Sequence, residues 1–140
     1  GVAAQNIGGR TIESYMSSRR KIKLPAPDQL PDVLIIDEIS MTSMYQFEKM
    51  NELFCGLNPE HNLFGGVKVL VMGDFSQLEV ISSSKYPASA VLQSPLFTRY
   101  VVPVPMLYGF RYSEDPEFYD FLCRMRENKV DFESFRRQQW

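Results

Sequence analysis

The stretch "VLIIDEISM", residues 33–41, sets four apolar residues directly before two adjacent acids. Val33, Leu34, Ile35 and Ile36 are too few for a helix and mostly β-branched, so they read as a strand buried on both faces, as a parallel sheet requires. A second stretch, "FGGVKVLVMGDFSQLEVI" at residues 64–81, repeats the pattern. Gly65-Gly66 make a turn, residues 67–72 form an apolar strand, and Gly73-Asp74 end it. Between the two, Ser43 and Gln46 have capping-box spacing, in which side chains satisfy the backbone N–H groups left free in a first helical turn. Met44, Phe47, Met50, Phe54 and Leu57 then recur near helical spacing, and Cys55-Gly56 with Asn58-Pro59 stop the helix. A last helix starts with Asp115 as N-cap and Pro116 at the first helical position, and carries Phe118, Phe121, Leu122 and Met125 on one face. This alternation of strand and helix predicts an α/β layer with a parallel sheet flanked by helices. Of the remainder, residues 1–16 read as a turn opening onto a short helix. The basic, proline-punctuated residues 17–31 read as a surface connection, and residues 100–104 as a third extended stretch broken by Pro103 and Pro105.

The bulk composition suits one globular domain over residues 1–140. The chain is 44% hydrophobic and 13% aromatic, enough for a core. A formal net charge of −2 gives no global pull toward nucleic acid or an anionic membrane, so any nucleic-acid contact has to be local. Cys55 and Cys123 lack C-x-x-C spacing, and His61 is the sole histidine, so zinc clusters and Cys-His nucleophile pairs find little support. Two reduced, buried thiols in an intracellular protein are the simpler expectation. No apolar run approaches bilayer-spanning length, and no membrane partner is expected. The chain begins with Gly1, as a processed chain or a fragment does.

In an open parallel sheet, ligands bind beyond the carboxyl ends of the strands. Asp37 and Glu38 sit at such an end. One carboxylate there can hold a magnesium ion, directly or through water, while the other orients a water for attack on a phosphoryl group. That is the division of labour of a Walker B motif, although strands also end in acids that merely face solvent. The second strand also ends in an acid, and a parallel neighbour brings Gly73-Asp74-Phe75-Ser76-Gln77-Leu78 to the same edge. Gln77 carries a donor and an acceptor, so it can touch a terminal phosphate and a positioned water together.

Taken in order, "NIGGRTIESY", "LIIDEISM" and "FGGVKVLVMGDFSQL" resemble the PIF-type (petite integration frequency) DNA helicases of superfamily one. "LYGFRYSEDPEFYDFLCRMRENKVD" resembles the segment that follows in that family, and the likeness covers nearly the whole chain. The resemblance implies part of the first RecA-like domain of a P-loop NTPase fold. It implies that the intact parent couples ATP hydrolysis to 5'-to-3' translocation on single-stranded DNA and duplex unwinding in genome maintenance, in a nucleus or mitochondrion if the source is eukaryotic. Carried over by position, Asp37 serves Mg2+ and Glu38 the attacking water. Gln77 links nucleotide state to DNA, and Arg111 approaches the terminal phosphate of ATP, a contact worth about a thousandfold in turnover. Gly8, Gly9, Arg10 and Thr11 match the segment that contacts single-stranded DNA. The basic residues 19–23 are either a further phosphate contact or solvated surface.

The chain also departs from that family. Glu79 and Val80 replace two prolines, Glu13 stands where histidine is common and Tyr112 where glutamine is common. No Gly-Lys-[Ser/Thr] occurs, so the phosphate-cradling loop is absent, as is a second RecA-like domain. Without the strand that bears that loop, β-structure at residues 67–72 has an unpaired edge, and the 140 residues alone should bind ATP negligibly. The residues leave open a RecD-type helicase, a signalling NTPase, a metal nuclease using Asp37, Glu38 and Asp74, and a non-catalytic helicase relic that binds DNA or protein.

Overall fold

The computed structural model describes residues 4–5, 8–21, 30–78, 80, 89–105, 115–129 and 136. Two compact units divide the chain, Gly1–Val101 and Val102–Trp140.

In the first unit, helix α1 spans Ile12–Lys21. The expected surface connection at residues 17–31 is therefore wrong in its first five positions. Arg and Lys are good helix formers and no proline intervenes before Pro25, so the backbone there is helix rather than loop. Strands β1 (Val33–Ile36) and β2 (Lys68–Val71) pair in parallel, with Val33 opposite Lys68 and Ile36 opposite Val71. β2 is one residue shorter at each end than the apolar run at 67–72. Parallel neighbours need a crossover, and helix α2 (Met44–Leu57) lies within it. The α2 capping box forms as its spacing predicts: the Gln46 N–H donates to Ser43 Oγ at 3.2 Å and the Ser43 N–H to Gln46 Oε1 at 3.0 Å.

The core joins Ile36, Ile39, Phe47, Met50, Phe54, Phe64, Val67, Val91 and Phe97. The Phe47 ring meets those of Phe64 and Phe97 edge-on, each at 5.3 Å between centroids. α1 docks through Tyr15, whose ring stacks on Phe54. After α2 the chain turns back through Phe64–Gly66, held by Asn51 Oδ1 accepting from the Phe64 N–H at 2.8 Å and by Asn58 Nδ2 donating to Gly65 O at 3.0 Å. Gly65 has φ 58°, and a Cβ there would lie 2.4 Å from Phe54 O, so only glycine fits.

Three expectations fail. β1 is not buried on both faces: Leu34 and Ile36 turn toward the core with Val69 and Val71, while Ile35 and Leu70 are half exposed. Side chains alternate across a strand, and within the first unit the described core lies on one face only. Residues 100–104 form no strand. Tyr100 ends a helix, α3 (Pro95–Tyr100), and Pro103 and Pro105 lack the N–H groups a ladder needs. The two thiols are half-buried rather than buried.

In the second unit, helix α4 (Pro116–Arg126) starts where the sequence predicts, with Asp115 Oδ1 accepting from the Phe118 N–H at 2.9 Å. Phe121 is buried, but Leu122 and Met125 are exposed. No helix among the described residues is long and apolar enough to cross a membrane.

Candidate functional site

Because β1 and β2 are parallel, both strands deliver their C-terminal residues to one edge. Two backbone hydrogen bonds extend the pairing past the last rung. The Met72 N–H donates to Ile36 O, and the Ile39 N–H donates to Met72 O, both at 2.9 Å. Asp37 and Glu38 are enclosed by this pair of bonds, and Gly73 and Asp74 follow directly after it.

Glu38 adopts the left-handed conformation, φ 52° and ψ 47°, at the head of a 3-10 turn over Ile39–Met41. A residue with a Cβ adopts that conformation only when its surroundings over-determine it, and such residues cluster at functional sites. The restraints here are visible on both sides. Asp37 Oδ1 accepts the Glu38 N–H at 3.0 Å, and Ile39 is tied to Met72. Both carboxylates are exposed, whereas Ile39, Ser40, Thr42 and Ser43 just beyond are buried. The acids thus stand at the rim of a well-packed turn. Ser40 Oγ is fully enclosed and lacks a hydrogen-bond partner.

On the β2 side, Asp74 organises the turn that presents Gln77. Its Oδ1 accepts the Ser76 N–H at 3.0 Å, its Oδ2 accepts Gln77 Nε2 at 3.3 Å, and its backbone O accepts the Gln77 N–H at 3.1 Å. Phe75 packs edge-on against Phe97 at 6.3 Å, which ties this turn to α3. α3 is tied in turn to α2: Ser94 Oγ caps α3 through the Phe97 N–H at 3.3 Å and donates to Glu48 Oε1 at 2.7 Å. The Met44 N–H donates to Ser89 O at 2.9 Å, which anchors the start of α2 to the same segment.

The structure brings the backbones of Glu38 and Gly73 together and fastens Gln77 to Asp74. Gly9, Arg10 and Thr11 lie apart from these strand ends in sequence, exposed, just ahead of α1. Thr11 Oγ1 accepts the Ser14 N–H at 3.2 Å in the first turn of that helix, and the Gly9 N–H donates to Ala4 O at 2.7 Å. Arg111 and Glu79 fall outside the described residues. Among the described residues no three His, Cys, Asp or Glu side chains gather where they could hold a metal ion. In the second unit, a hydrogen bond and the positive charge of Lys129 hold the exposed Glu127 carboxyl below the usual carboxylate range.

Sequence reasoning missed three contributors: Gly73 as a close-packing residue, Asp74 as the organiser of Gln77, and α3 as the support for Phe75. The signal for α3 was present in Ser94-Pro95, the same cap-and-proline pattern that locates α4. Nothing local marks the other two.

A family model described as "PIF1-like helicase" matches residues 16–133. The ATP-dependent DNA helicase PIF1 of Saccharomyces cerevisiae is 32% identical across 97% of this chain, which spans 18% of that protein. The ATP-dependent DNA helicase PIF1 of Danio rerio is 30% identical across 93% of the chain, which spans 22% of it. The Pif1 helicase from Bacteroides, solved in complex with ADP-AlF3 and ssDNA, superposes with a TM-score of 0.73 at 25% identity, over 96% of this chain and 36% of that one. The Pif1 helicase from Candida albicans superposes with a TM-score of 0.69 at 27% identity, over 96% of this chain and 30% of that one. The fold is that of part of a RecA-like domain, with a parallel sheet and flanking helices.

Proposed function

This chain belongs to the PIF1-like helicase family, and on that premise we propose that it is the nucleotide-switch portion of an ATP-dependent DNA helicase. The whole protein hydrolyses ATP, translocates 5'-to-3' on single-stranded DNA and unwinds duplexes in genome maintenance, in the nucleus or mitochondrion if its source is eukaryotic. Both compact units are parts of one RecA-like domain. The family match favours this reading over a RecD-type enzyme.

One observation carries the proposal. The acidic end of β1 and the glutamine turn after β2 are fastened side by side by the Ile39 N–H bond to Met72 O. That bond ties the residue after Glu38 to the residue two before Asp74, whose turn carries Gln77, so a short backbone path joins the two. In the proposed roles, Glu38 orients and deprotonates the attacking water, Gln77 contacts the terminal phosphate, and Arg111 offsets charge developing there. Gly9, Arg10 and Thr11 contact the DNA backbone.

Asp37 is the residue that would hold Mg2+. Its exposed carboxylate spends one oxygen on the Glu38 N–H. A single carboxylate without a surrounding cage fits Mg2+, which keeps several waters and takes other ligands from phosphates. Among the described residues no further carboxylates gather there as an all-protein metal centre of the nuclease kind requires. When bound, the ion neutralises charge on the phosphate oxygens. The triphosphate itself has no Gly-Lys-[Ser/Thr] cradle in these 140 residues, so its inner phosphates need protein from elsewhere.

The alternative reading is a non-catalytic module that binds DNA or protein. ATP hydrolysis by the full-length protein, with and without single-stranded DNA, separates the two. The helicase assignment expects DNA-stimulated turnover that falls by at least about a hundredfold in Glu38→Gln, and unwinding of 5'-tailed but not 3'-tailed duplexes. DNA binding without turnover would establish the module instead.

A further inference from the structure

We propose that Gly73 is a positioning residue for Glu38: its lack of a Cβ lets the end of β2 lie flat against the Glu38–Ile39 backbone and so sets the spacing between the acid and the glutamine turn. This inference rests on the roles proposed above for Glu38 and Gln77. A Cβ built on Gly73 would lie 2.9 Å from the Ile39 backbone N, 3.0 Å from Ile39 Cγ2 and 3.4 Å from the Glu38 carbonyl carbon. Two of those three neighbours are main-chain atoms and cannot swing aside. The Ile39 side chain, buried in the core, has little room to give. Gly73 does not have a positive φ. Glycine is needed there for space, not for an unusual backbone conformation.

The crowded atom, Ile39 N, is also the donor that fastens the two strand ends through Met72 O. A methyl group at position 73 therefore pushes directly on that bond. Relief comes in one of two ways. The Ile39–Met72 bond lengthens and the β2 end lifts away, or Glu38 leaves its left-handed conformation and lets Ile39 retreat. Both displace the Glu38 carboxylate relative to Gln77, because Gln77 is tied to Asp74, the residue next to Gly73. A displacement of about 1 Å at a reacting group costs on the order of a hundredfold in rate. DNA affinity, and the larger part of nucleotide affinity carried by the inner phosphates, rest on contacts outside this strand edge and should change little.

The test is Gly73→Ala in the full-length protein, measured alone and combined with Glu38→Gln. The expected result is a fall of about 10- to 100-fold in kcat for DNA-stimulated ATP hydrolysis, with the KM for ATP and the Kd for single-stranded DNA within about twofold. In the Glu38→Gln background, Gly73→Ala should cost almost nothing further, since it acts through the carboxylate already removed. A full additional loss in the double variant, or an unchanged kcat in the single one, overturns the proposal. If Glu38→Gln alone keeps full turnover, the role given to Glu38 is what fails. Should Gly73→Ala not fold, amide hydrogen exchange in the wild-type protein decides: the Ile39 N–H should be protected to a degree similar to the Met72 N–H, and exchange at the rate of an unstructured peptide overturns the proposal.

Discussion

Replacing Glu38 by glycine should make this region of the protein more stable and the enzyme inactive. A left-handed conformation costs an L-residue about 1–2 kcal/mol, and Glu38 holds it at φ 52° and ψ 47°. Glycine carries no such penalty but loses about 0.5–1 kcal/mol more backbone entropy on folding. The net is a gain of about 0.5–1 kcal/mol, roughly a two- to fivefold slower opening of the strand ends. The Glu38 N–H bond to Asp37 Oδ1 and the Ile39–Met72 bond both use main-chain donors, which the substitution leaves in place. Glu38→Ala serves as the control, because it removes the carboxylate yet keeps the Cβ and hence the strain. Hydrogen exchange at the Met72 amide, bonded to Ile36 O across the sheet, reads the local effect in the full-length protein. Exchange should slow in Glu38→Gly and not in Glu38→Ala, while kcat falls in both by at least about a hundredfold. Faster exchange in Glu38→Gly than in Glu38→Ala would refute the placement of strain at this residue. Retained turnover in either variant would refute its catalytic role. Such an opposition between stability and activity is expected where function holds a residue in a costly conformation.

Other substitutions probe the scaffold, with urea denaturation of the full-length protein as the readout. Phe54→Ala empties a fully buried site between Tyr15 and Phe64 and should cost about 3–5 kcal/mol; a loss below about 1 kcal/mol contradicts the packing described. Ser94→Ala removes the α3 cap and the donor to Glu48, for a loss of about 2–4 kcal/mol. Adding Glu48→Leu to it should recover part of that loss, because the orphaned carboxylate is then gone. The 140-residue chain alone should show no tight magnesium-dependent binding of a fluorescent ATP analogue, since it has no Gly-Lys-[Ser/Thr] loop; micromolar binding would place the cradle within this chain.

What could be read in advance follows the range of the interactions involved. The capping box of α2, the Asp115-Pro116 start of α4 and the β-branched run of β1 are signals spoken between near neighbours in the chain. Each appears where its residues predict. Ser94-Pro95 belongs to the same class, whereas the apolar residues 100–104 beyond it mimic an extended strand. Residues 17–21 are the converse case, a polar run that suggests a loop although helix formers fill it. The strand ends themselves were legible as a pair of acids and a glutamine on one edge, because parallel pairing of two apolar runs forces that placement.

Sequence alone thus determined the α/β alternation, the parallel sheet and the chemistry available at its edge, since composition and periodicity are properties of contiguous residues. Tertiary structure alone decided that Glu38 is left-handed, that Gly73 leaves room for the Ile39 amide, that Asp74 rather than solvent holds Gln77, and which face of β1 lies open. Each of those depends on contact between chain segments far apart in sequence or on the shape of a single turn under restraint from both sides. An Asp-Glu pair or a Gly-Asp pair looks the same whether or not such a neighbour is present.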